Sequence, residues 1–377
     1  MRGSIRFAGV AGFALAATAL AAAAPTAASA APAHHDGAVF ALTDNLAGNA
    51  VVAYHRAGDG SLQEAGAYRT GGLGGQLTGS VVDHTASQGA LALDRDGGSL
   101  YAVNAGSDTI AAFDVHGDRL DRRQVISSGG AFPVSIAVHG NLVYVLNARA
   151  GGSIQGYLRL GGTLVKVAGW HRALGLDPHA TPEFTHTPGQ IAFTPDGTRL
   201  VVTTKAGSNA IEVFGVDRLR GPSAVPVVST EPGAVPFAVT FDRAGHLVVA
   251  EAGPSAVATF TVNRDDTLTS LSTVGTGQAA TCWIVGVDGT VYTGNAGSGN
   301  LSGYRVQAAG TLTSLGTFAT GAGQVDVAAT PDGRYLYAQT GAAGGIVALR
   351  VGPGGALTTV GAVTVPGAAG GEGIVAS

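Results

Sequence analysis

The sequence predicts an all-β fold, a seven-bladed β-propeller built of four-stranded antiparallel blades. Three observations predict it. First, an aromatic residue or leucine ends a short strand at Tyr54, Phe113, Tyr157, Phe214, Phe260, Tyr304 and Leu349, and four of the six intervals are 44, 46, 44 and 45 residues. Second, a strand ends nine or ten residues before that position in a related tetrapeptide, most clearly Asn104-Ala-Gly-Ser107, Lys205-Ala-Gly-Ser208, Glu251-Ala-Gly-Pro254 and Asn295-Ala-Gly-Ser298. Third, the order of strand and turn signals inside each unit is constant. A period near 45 residues with several short strands per unit marks one four-stranded blade per repeat.

Blade four shows the unit in order. Gln190-Ile-Ala-Phe193 reads as the inner strand A, Thr194-Pro-Asp-Gly197 as the A–B turn, Leu200–Thr204 as strand B and Ala210–Phe214 as strand C. The same turn recurs as Asp94-Arg-Asp-Gly97 and Thr330-Pro-Asp-Gly333. Pro presets φ at the first central position of such a turn, and Gly supplies the positive φ that leads back into a strand. Between turns, alternating Val, Ile, Leu and aromatic residues suit half-buried antiparallel strands.

The first strand, Ala38–Leu42, matches strand B of the other repeats. Its missing strand A is found at the far end, where Gly373–Ser377 resembles Ser135-Ile-Ala-Val138. The C-terminus is therefore expected to complete blade one and close the ring, which removes an exposed edge. Two intervals are long, and the excess falls at residues 71–86 and 174–187, between the last strand of one blade and the first of the next. Both insertions emerge on the face that carries the B–C loops. Loops on a rigid scaffold are where function collects, although loop length by itself costs little.

Residues 1–30 read as a secretory signal peptide. Arg2 and Arg6 precede an apolar run from Phe7 to Ala24, and Ala28-Ser-Ala30 is a small-residue cleavage site. Residues 31–37 are expected to be a loose N-terminal segment and 38–377 the propeller, placed outside the cytoplasm. Without the two arginines the formal charge moves from −4 to −6. Mild acidity argues against nucleic acid as a partner, and charged or Gly-rich turns interrupt every apolar run before it could span a membrane. Cys282 is the single cysteine, so no internal disulfide forms; beside Trp283 and without a local His it reads as a buried thiol.

The segments Ile191–Gly197, Leu200–Lys205, Ser208–Phe214, Pro236–Phe241 and Leu247–Glu251 resemble the seven-bladed lactonase family, which includes bacterial 6-phosphogluconolactonases and the fungal-type carboxymuconate lactonising enzymes. The similarity extends loosely over residues 38–377. Leu100-Tyr-Ala-Val-Asn104 is also similar to the YVTN-type repeats of surface-exposed propellers. The phosphogluconolactonases carry a His-rich segment followed by Asp-Leu-Gly-x-Asp-Arg. Here the His-rich segment takes the form Pro178–His186, and Thr204-Lys-Ala-Gly-Ser208 follows, without the acids or the Arg. The resemblance thus implies fold and superfamily, and the departure argues against a sugar-phosphate lactone.

Comparison of the repeats with one another supplies the candidate site. Asn45, Asn104, Asn147 and Asn295 end strand B in four blades, where Asn bonds the loop it opens. At the aligned position blade four has Lys205 and blade five Glu251. Lys205 is one of two lysines beside nineteen arginines. Arg149 lies in the corresponding loop of blade three, His84 in the first insertion, and His179, Glu183 and His186 in the second. One reading makes Lys205, Glu251 and His186 catalytic, with Arg149, His179 and Glu183 binding a small lactone or carboxylate; a cation polarises the carbonyl and a Glu or His moves the proton. The other makes Lys205 and Glu251 a surface ion pair of roughly 0–1 kcal/mol. Gln190, Asp326 and Glu372 start inner strands at the channel mouth, either to bind a ligand or to bond neighbouring blades. No metal or cofactor motif is present. Two functions remain open: a secreted lactonase-family enzyme acting on a small carboxylated lactone or its open-chain acid, carboxymuconate cyclase-like or gluconolactonase-like, and a non-catalytic extracellular or cell-envelope propeller that binds a protein, glycan or small ligand.

Overall fold

A computed structural model of the protein describes residues 36–377 and, apart from them, Gly9. The expected signal peptide and most of the segment after it lie outside the described residues. Seven antiparallel sheets follow one another along the chain. In blade one the inner strand is Ile374–Ala376, paired to Gly37–Leu42 with Phe40 opposite Val375. The ring is therefore closed by the C-terminus, as the repeat order requires. The first strand takes in Gly37, the last residue of the segment expected to be loose.

Each sheet is buried on both faces, so its inner strands read as continuous apolar runs rather than alternating ones. Leu247 and Val249 of blade five pack with Val201, Ile211 and Val213 of blade four, whereas Val248 and Ala250, pointing the other way, pack towards Trp283 and Ile284 of blade six. The recurrent aromatic has a local cause. The pairing of strand C with strand D slips by one residue at Tyr54, Phe113, Phe260, Tyr304 and Leu349 in blades one, two, five, six and seven, and by three just before Tyr157 in blade three. A bulge there bends the outer half of the blade and turns a large side chain into the inter-blade core. At Phe214 the outer strand of blade four breaks altogether, into Gly221–Pro222 and Val227–Thr230.

The asparagines are structural. Asn104, Asn147 and Asn295 each stand opposite the first residue of strand C, and their Nδ2 groups reach Thr109, Ser153 and Asn300 across the loop. In blade four the residue in that register is Thr204, whose N–H bonds the Ala210 carbonyl and whose hydroxyl bonds the same turn. Lys205 therefore sits one residue beyond the aligned position, with φ of 47°. Thr43 likewise holds that place in blade one, and Asn45 lies two residues further on, where its Oδ1 accepts from the Ala47 N–H. A one-residue offset points the side chain elsewhere. The sequence alignment of Lys205 with Glu251 is corrected accordingly.

Candidate functional site

The first insertion does not overhang the propeller; its end crosses the central channel. The Ser87 hydroxyl donates to Val134 O of blade three, and Trp283 Nε1 of blade six donates to Ser87 O. Gln88 bonds both backbone groups of Ile284 in blade six through its amide, and its own N–H reaches Gly189 O ahead of blade four. The Gly89 N–H donates to Glu372 Oε1 just before the closing strand of blade one, at 2.9 Å. Bonds to four blades around one ring place residues 87–89 across its mouth. The channel is stoppered on the loop-rich face.

Lys205 lies under this stopper, and its side chain is only 1 % exposed. Its Nζ donates to Ala86 O and Phe184 O, both at 2.6 Å, and meets Thr187 Oγ1 at 3.0 Å. Burial pulls the ammonium down to about 7, against the opposing field of buried Asp83. No Lys205–Glu251 ion pair forms among the described residues, because the Lys205 ammonium is spent on the two insertions it holds together. In place of the expected catalytic role, Lys205 holds the two insertions in position. Asp83 is itself satisfied by the N–H groups of Thr85, Ala86 and Ser87.

Glu251 is 5 % exposed, and no hydrogen-bond donor among the described residues meets its carboxyl. Burial pushes it up to about 7, with Glu231 adding to the rise. Its electrostatic neighbour is thus another acid rather than the expected lysine. Gln190 and Asp326 bond adjacent blades rather than facing a ligand. Gln190 Oε1 accepts from Val239 N of blade five, and Asp326 accepts from Val327 N and from Ile374 N of blade one. Glu372 is raised well above the ordinary carboxyl range by burial and by the neighbouring Asp326, and its oxygens accept from Thr85, Ser87, Gly89 and Ala90.

The remaining candidates come together. One cleft on the loop-rich face is lined by residues 148–151, by Leu176, Asp177, Pro178 and Ala180, and by Glu183, His186 and Thr187. Its cavity holds about 30 Å³, enough for a water molecule. Arg149 enters from blade three. Its Nε meets Glu183 Oε1 at 2.7 Å, its Nη2 donates to Glu183 Oε2 and Gln76 O, and its guanidinium lies 4.3 Å from the Phe132 ring centre. The Arg149 guanidinium holds Glu183 down at about 2, and Glu183 Oε2 also accepts from Thr78 N at 2.7 Å. Nη1 has no protein partner among the described residues. His186 closes the short helix Glu183–His186. Its Nδ1 lies 2.9 Å from both Pro182 O and Thr185 Oγ1; in the tautomer with Nδ1 donating to the carbonyl, Nε2 is the acceptor. His179 is exposed nearby, its N–H on Asp177 Oδ1. His84 stands apart, 3.6 Å from buried Asp44.

What sequence reasoning missed is the stopper. Ser87, Gln88 and Gly89 carry no motif, and their positions follow only from ring closure.

The model of the family described as lactonase, 7-bladed beta-propeller matches residues 24–163, and the resemblance read from the repeats is borne out. Among solved structures, the periplasmic gluconolactonase of Pseudomonas aeruginosa superposes with a TM-score of 0.72 at 17% identity, over 91% of this chain and 99% of that one. A candidate 6-phosphogluconolactonase of Bacteroides fragilis gives 0.72 and 17%, over 91% and 97%. A protein from Lactobacillus plantarum gives 0.72 and 20%, over 91% and 100%. At these identities the likeness speaks for the fold. No curated protein matches the chain. The chain is a seven-bladed propeller that is similar to the lactonase family over residues 24–163.

Proposed function

We propose that the protein is an exported hydrolase that opens a small lactone lying across the mouth of the cleft between residues 148–151 and 176–187, with the attacking water inside the cleft. The observation that carries this reading is that one cleft is lined by both a histidine and an arginine whose Nε2 and Nη1 have no partner among the described residues. His186 Nε2 takes a proton from a water molecule held in the cleft. That water's oxygen attacks the lactone carbonyl carbon, and Arg149 Nη1 stabilises the oxygen on which negative charge develops. When the ring C–O bond breaks, His186 returns the proton to the leaving alkoxide, so lactone and water become one hydroxy acid. Glu183 and Phe132 fix the guanidinium plane. Lys205, bonded to Phe184 O and Thr187 Oγ1 on either side of His186, positions the helix that carries it. A substrate carboxylate, where present, would share the Arg149 charge. The reverse reaction, ring closure of an open-chain unsaturated acid, would need the same two groups.

The test is ring opening across a panel of plain, hydroxylated and carboxylated lactones. One or more members should be hydrolysed, with Arg149→Ala slowing that reaction roughly a hundredfold. A panel left intact by the folded protein would favour the extracellular binding propeller instead.

A further inference from the structure

The channel that is stoppered on one face is open on the other. There a cavity of about 380 Å³ is bounded by the inner strands of blades one, two, six and seven and by the A–B turns of blades two, six and seven. Its lining mixes polar and apolar surface, with Leu93, Val285, Val287, Ile374 and Val375 supplying the apolar part. Leu93, Val285 and Val375 remain partly exposed there, although they lie on the inside of the ring. One cation stands at the rim. Arg95, in the A–B turn of blade two, donates from Nη2 to Ala376 O at 2.7 Å. That bond holds the guanidinium against the closing strand. Nε and Nη1 meet no protein acceptor, and no carboxylate pairs with Arg95 among the described residues. Asp288, also on the lining, is taken by Arg243 at 2.5 Å. Small-ligand sites share this form, a few hundred Å³ with apolar side chains on part of the wall and a placed charge at the rim.

We propose that this cavity is a second binding site, separate from the hydrolytic cleft, for a small monocarboxylate with an apolar body. The carboxylate would take the two free donors of Arg95, a charge-assisted contact that a neutral ligand cannot make. The apolar body would cover the exposed faces of Leu93, Val285 and Val375, which otherwise stand in water. Because the stopper closes the far end, the ligand enters and leaves by the A–B face only. Chain length is then limited by the depth of the cavity, not by its width.

Calorimetric titration of the full protein with octanoate, and with 1-octanol as the neutral match, tests this. Octanoate should bind to one site and 1-octanol at least tenfold more weakly. Arg95→Gln should weaken octanoate about tenfold and leave 1-octanol unchanged, while Ala329→Phe, which fills the cavity, should abolish both. Thermal melts of both variants verify folding, and His186→Ala should bind octanoate like the wild type. The proposal is overturned if octanoate fails to bind, if it binds the wild type and Arg95→Gln alike, or if His186→Ala removes binding.

Discussion

Single residues in this propeller are set by whom they meet rather than by how they align. Glu251 is the plainest case. The repeats place it in an Asn position, and the fold leaves its carboxyl buried beside Glu231, raised to about 7. Below about pH 4.5 the group is protonated whether the chain is folded or not and contributes nothing. Between there and pH 7 only the unfolded chain ionises, so stability falls as pH rises, and above 7 the full cost is present. Glu251→Gln should therefore match the wild type at pH 4 and exceed it by roughly 2 kcal/mol at pH 8. Denaturant titrations at the two pH values measure this; an equal offset at both would show that the carboxyl is not raised. The residues of the cleft were legible in part. Arg149, Glu183, His179 and His186 were named from loop position and type, since only two insertions interrupt the period. Lys205 was noticed for its rarity, but its partners, Ala86 O and Phe184 O, are backbone groups that no side-chain pattern reveals.

At the level of elements, the two insertions act as one structure held from below. Lys205 bonds the first at Ala86 and the second at Phe184 and Thr187, and Glu183 joins them from above through Thr78. Removing the ammonium would leave two buried carbonyls without a donor. Lys205→Met should thus cost about 3 kcal/mol and should loosen residues 83–90 and 183–187 together. Hydrogen exchange at these backbone amides reads both effects; loosening of one insertion alone would contradict the shared clamp. Blade four illustrates a different limit of sequence reading. Its strands A to C were placed from turn signals, whereas the break of its outer strand around residues 218–226 depends on a register that sequence spacing does not carry.

Across the whole molecule, the fold was more legible than the site because the two are encoded differently. Seven recurring positions, six aromatic and one leucine, the A–B turns and a first strand of B type each restate one architecture, and each is local in sequence. The terminal closure was readable because a missing strand at one end matched a surplus one at the other. Deleting Gly373–Ser377 unpairs Gly37–Leu42 and also removes Ile374 N, a donor to Asp326. The truncated protein should lose several kcal/mol or aggregate through the freed edge, and a melting temperature within a few degrees of the intact chain would refute the closure. The site, by contrast, is assembled from loops of blades one to four whose approach depends on the closed ring.

The central claim is that one histidine on the second insertion opens a lactone. Its most direct test is the turnover rate of His186→Ala on the lactone that the wild type hydrolyses best, at pH 7. The account predicts a fall of about a hundredfold or more with the melting temperature preserved, whereas a variant that turns over at the wild-type rate would place the chemistry elsewhere in the propeller.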